Sequence, residues 1–185
     1  MRGILIGLLL LISASLTSPP AAAQDNSLHL TRAQSVINAF QVMCTLEHPN
    51  FDQIDEKATL MRMRLQSNDK GPSADNTVTR SKVWAGGLTD GPFVVLLDEM
   101  SGAKGTSTSC AIVADVPDVD AFLAEAVSMI KLPGVPAPEL GTDGSRSYVW
   151  NGFFGPGTII IERDFARTGK PGVMLKLLSM VRPAQ

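Results

Sequence analysis

Apolar residues recur along the chain with spacings that predict two kinds of element. Val36, Ile37, Phe40, Met43 and Cys44 fall one, three and four residues apart, as they do on one face of a helix. Thr31 can cap that face by accepting backbone N–H groups, so a helix is predicted over 31–46. Ile54, Ala58, Met61 and Leu65 mark a second helix over 52–66. Val119, Phe122, Leu123, Ala126, Val127 and Ile130 mark a third over 118–132, with Pro117 suited to an early helical position. Segments 67–77 and 133–144 follow these last two helices. Their prolines and glycines stop the helix and predict loops without regular strand. Runs rich in β-branched and aromatic residues then predict strands at 78–84, 93–98 and 107–114, and again at 147–151, 158–165 and 173–181. Gly86-Gly87 and the glycines between 152 and 157 supply short turns, which favours antiparallel hairpins.

The second half repeats the first. A shift of 66 residues lays Arg80-Ser81-Lys82-Val83-Trp84-Ala85-Gly86 on Arg146-Ser147-Tyr148-Val149-Trp150-Asn151-Gly152, and five of these seven positions are identical. The two tryptophans of the chain coincide. Without a gap, the match gives 12 identities over the 54 positions from Phe51 to Lys104. The expected organisation is an N-terminal helical segment, 24–50, followed by repeats at 51–116 and 117–185. This is an α+β fold of two fused α-β-β-β units related by a pseudo-two-fold. Helices pack on one face of the antiparallel sheet or sheets. Three strands alone are only marginally stable, so the units are expected to share one core.

Tandem units of helix plus antiparallel sheet, here carrying the Arg-Ser-x-Val-Trp-x-Gly repeat, resemble the architecture of the secreted β-lactamase inhibitor protein family. The resemblance implies a binding protein that uses an open sheet face. It carries no residue roles across, and members of that family usually hold a further helix or strand per unit.

The N-terminus changes the expected address. Arg2 precedes an apolar run from Ile4 to Ile12, and Ala21-Ala22-Ala23 forms a small-residue cleavage site. This is the layout of a secretory signal peptide over 1–23. The run is too short for a span, which takes roughly 20 residues, and no cysteine follows the cleavage point to take a lipid. An exported protein is expected, periplasmic or extracellular, with no membrane span after cleavage. Removing Arg2 with the leader leaves 162 residues, with 15 basic against 18 acidic side chains. That balance lacks the basic block that nucleic acid requires. Cys44 and Cys110 are the only cysteines. In an oxidising compartment an isolated pair predicts a disulfide.

Chemical motifs are weak by comparison. Ser101-x-x-Lys104 and Ser128-x-x-Lys131 fit a serine–lysine pattern, but neither serine starts a helix, and the partner motifs of such enzymes are missing. His29 and His48 lack a nearby nucleophile motif or ligand-type spacing to the cysteines. The glycine-rich 152–157 stretch precedes a strand rather than a helix, so it is a turn rather than a phosphate loop. No catalytic residue, metal or cofactor is therefore expected.

The aromatics remain. Alternation sets Val83 against Trp84 and Val149 against Trp150 on opposite sheet faces. If the valines face the helices, the tryptophans form an open platform flanked by Arg80, Arg146 and Tyr148, with Phe153 and Phe154 at a hairpin tip. These are residue types that dominate binding hot spots. If not, the tryptophans are core. The expected function is a non-catalytic module that binds another envelope or secreted protein. The alternative is a small hydrolase or ligand-binding protein with its site between the repeats.

Overall fold

The computed structural model describes residues 30–46, 49–72, 77–142, 144–154, 157–163 and 171–181. The expected leader and both histidines lie outside these residues. Thr31 opens α1 (Arg32–Phe40). Its hydroxyl accepts from the Gln34 N–H, and the Gln34 side chain accepts from the Thr31 N–H. The helix then widens into a π-helical turn, Gln41–Thr45, and so fills the span that the apolar periodicity predicts.

Asn50 caps α2 (Phe51–Leu60) through the N–H groups of Asp52 and Gln53. The helix ends six residues before the expected 66. Met61 closes its last turn, and Arg62 takes a left-handed backbone with φ 54°, which no helix continues. The chain turns instead into β1 (Arg64–Pro72). This corrects the expectation of a loop from residue 67. Gly71 and Pro72 are tolerated because β1 is an edge strand and they lie at its end, where a missing N–H breaks no inner ladder. A bulge between Leu65 and Ser67 adds a further irregularity.

The remaining elements are β2 (Val78–Leu88), β3 (Gly91–Gly102), β4 (Gly105–Asp115), α3 (Val119–Ile130), β5 (Glu139–Leu140), β6 (Arg146–Phe153), β7 (Gly157–Arg163) and β8 (Gly172–Val181). The six expected strands are all present, the last two residues of the expected 158–165 lying outside the described residues. The described residues of the expected 133–144 loop form a loop apart from the two residues of β5.

The strands form one antiparallel sheet in the order β1-β2-β3-β4-β8-β7-β6-β5. Helices cover one side, so the fold is α+β. On that side Trp84, Val95, Ile112, Leu175, Ile161 and Tyr148 stand opposite one another on successive strands and form a buried row. Val36, Ile37 and Phe40 of α1, Ile54 and Ala58 of α2, and Phe122 and Ala126 of α3 close over it. No helix among the described residues is long and apolar enough to cross a membrane.

Three sets of bonds hold the helices to the sheet. Cys44 and Cys110 form the expected disulfide, Cα atoms 5.5 Å apart, and tie the π-helical turn to central strand β4. At the other end of α1, Arg32 donates to the Asp115, Gly91 and Pro92 carbonyls and to the Asp90 carboxylate. Over β2, Asp52 and Asp55 of α2 pair with Arg80 and Lys82.

Candidate functional site

Sheet geometry gives the chain a second face. Because side chains alternate, the residues between the buried ones point away from the helices. Val83, Leu96, Ala111, Lys176, Ile160 and Val149 form one row there, from β2 across to β6. Val94, Val113 and Met174 stand in the row beside it, and Leu178 on the other side. No described helix packs on this face. Apart from Ala111 and Val113, these apolar residues are only half-buried.

Lys176 is the one charge in the central row. It lies between Ala111 and Ile160 and has no hydrogen bond or ion pair among the described residues. Asp98 lies two strands away, in the next row. Its carboxylate accepts from Ser81 Oγ at 2.6 Å and from Ser109 Oγ at 3.5 Å. Asp98 and Lys176 line one depression of about 340 Å³, together with Met100, Ser107 and Leu178.

The residues expected to form an aromatic platform are placed otherwise. Trp84, Tyr148 and Trp150 lie on the helix-covered face and are 7%, 7% and 5% exposed. The open tryptophan platform is thus corrected: the valines face solvent and the tryptophans face the core. A large ring gains more from burial than a valine, and that difference sets the face. Trp84 and Tyr148 occupy the same row at opposite flanks, five strand spacings or roughly 24 Å apart. Tyr148 and Trp150 stack with centroids 6.4 Å apart. The Trp150 Nε1–H donates to the Gly134 carbonyl at 2.9 Å, and so the 133–138 segment closes over this flank. Arg146 is exposed near the β5 edge. Phe153 packs partly against the core, and Phe154 is 38% exposed in a left-handed turn at φ 53°.

Arg80 is engaged within the fold. Its guanidinium donates to Glu99 at 2.8 Å and to Asp52 at 2.7 Å, and sits 4.0 Å over the Phe51 ring. The hydrogen bond to Glu99 raises its pKa above the ordinary value, with Asp52 adding and partial burial opposing. Arg80 therefore stays charged at any working pH and anchors α2 to β2 and β3. Ser101 Oγ lies 3.1 Å from Thr106 Oγ1, and neither Ser101 nor Ser128 bonds the lysine three residues on.

Lys176 escaped the sequence reading, although a signal existed. In β8 it falls on the parity opposite Val173, Leu175 and Leu177, the one charge in that strand. Only the sheet order puts that strand at the centre.

Compared with models of known protein families, with curated proteins and with solved structures, the chain matches none of them.

Proposed function

We propose that the protein is an exported, non-catalytic module that binds another envelope or secreted protein through the open sheet face. One observation carries this reading: a lysine without a partner among the described residues, at the centre of an apolar sheet face that no described helix covers. An ammonium among apolar side chains is best satisfied by a carboxylate that arrives in an apolar surround. The broad row of β2 to β6 side chains suits a protein surface better than a small ligand. Export rests on the leader expected at 1–23. The disulfide supports it, since such bonds persist in oxidising compartments.

Duplication fits the same picture. The strand order reads alike from both ends when β1 exchanges with β5, β2 with β6, β3 with β7 and β4 with β8. A pseudo-two-fold would then pass between β4 and β8, beside Lys176, with repeats at 51–116 and 117–185 after the 24–50 segment. Trp84 stands opposite Val95, and Trp150 opposite Ile159. The second hairpin is thus two residues shorter, and the 66-residue offset falls to 64 past the turn. A shift of two keeps every side chain on its face.

The test is a photo-crosslinking residue at Leu96 or Ile160 in the producing cell, with the same residue at Glu56 on exposed α2 as control. One dominant adduct with an exported protein is expected, and Lys176→Glu should remove it. Equal labelling from the sheet face and from α2 would sink the proposal.

A further inference from the structure

A second apolar region that no described segment covers lies at the rim of the helical layer. A cavity of about 580 Å³ sits between α1, the 61–64 turn and the β2–β3 hairpin. Its floor depends on Gly86. A Cβ there would lie 2.5 Å from the Phe93 ring and 2.8 Å from Met63 Cε, so only glycine lets both side chains lie across β2. Val42 and Met61 stand beside this floor, 42% and 50% exposed.

Charge in the lining is one-sided. Arg62 belongs to it, and among the described residues no Asp or Glu does. Arg64 touches the rim from β1, but it stands opposite Ala85, so its side chain lies on the other sheet face. Arg62 has no carboxylate partner among the described residues, which sets it apart from Arg32, Arg80 and Arg163, each of which is paired with an acid. Arg62 also carries the left-handed backbone at the end of α2, a conformation that costs a non-glycine residue about 1 kcal/mol or more. The walls are fixed before any ligand arrives. Arg32 fastens the β2–β3 turn to the start of α1, and the disulfide fastens the π-helical turn to β4.

We propose that this groove binds one free fatty acid, its alkyl chain over Phe93 and Met63 and its carboxylate at Arg62. The volume is that of an ordinary small-molecule site. The planar guanidinium fork matches a carboxylate, and the apolar floor asks for a chain rather than a sugar or a peptide backbone.

The experiment is calorimetric titration of the purified, disulfide-bonded protein with decanoate below its micellar range. One decanoate per chain is expected. Octanoate should bind roughly fifteenfold more weakly, about fourfold for each methylene lost. Decan-1-ol, which keeps the chain and lacks the charge, should bind at least tenfold more weakly. Arg62→Gln should weaken decanoate to the level of the alcohol and leave the alcohol unchanged, whereas Arg64→Gln, on the other sheet face, should bind both like the parent. Both arginines are exposed, so these variants test binding rather than folding. Lys176→Gln should bind decanoate like the parent. The inference is overturned if decanoate does not bind, if it binds no better than the alcohol, or if Arg62→Gln matches the parent. It is equally overturned if Lys176→Gln abolishes binding, or if only vesicles of phosphatidylglycerol are bound.

Discussion

At the scale of single residues, the two tryptophans make the sharpest contrast. They align in sequence and both are buried, yet their indole N–H groups fare differently. Trp150 Nε1 donates to Gly134, whereas Trp84 Nε1 is buried without an acceptor among the described residues. An unsatisfied buried donor costs free energy that a phenyl ring avoids. Trp84→Phe should therefore change stability by less than about 1 kcal/mol, while Trp150→Phe should cost about 2 kcal/mol, both by urea unfolding. Burial of both indoles also predicts poor quenching of native fluorescence by iodide. Efficient quenching of either would contradict the placement of the rings.

Elements are held in place by a few bonds whose loss should be separable. Arg80 links α2 to β2 and β3 through Asp52 and Glu99. Arg80→Ala leaves Glu99, 17% exposed, without its cation, and should cost about 2 kcal/mol, read as a lower urea midpoint with an unchanged slope. The Asp52 side contributes little, because that carboxylate is 77% exposed. The disulfide closes 66 residues, which the chain-entropy model values at about 4 kcal/mol. Reduction should lower the unfolding free energy by that order and loosen α1 first. Amide exchange in 32–45 should then outpace exchange in β4. Uniform acceleration across the sheet would argue that α1 and the sheet unfold as one unit.

For the whole molecule, the lysine at the centre of the open face is expected to limit self-association, beside the recognition role proposed for it. An uncovered apolar sheet face invites stacking of a second copy, and one central charge opposes it. Lys176→Leu should leave the fold intact and shift sedimentation toward larger species at a given concentration. If Lys176→Leu sediments like the parent, the face is not sticky enough for the lysine to matter.

Local order was legible in the sequence because it depends on near neighbours. Thr31 caps whatever follows it, helix faces announce themselves through their spacing, and glycines between apolar runs make hairpins. The disulfide was legible from an isolated pair of cysteines behind an expected export signal. What the sequence could not settle depends on partners far along the chain. Pattern alone left Val83 and Trp84 free to exchange faces; the helices, by closing on the tryptophan side, decided between them. Prolines and glycines argued against a strand at 67–72, yet the edge of a sheet accepts both at the end of a strand. The groove needs Gly86, Met63 and α1 together, and the setting of Lys176 needs β8 beside β4. Periodicity is a property of one segment, and a face or a groove is a property of several. For that reason the elements could be read in advance, and the candidate sites only once the sheet had been assembled.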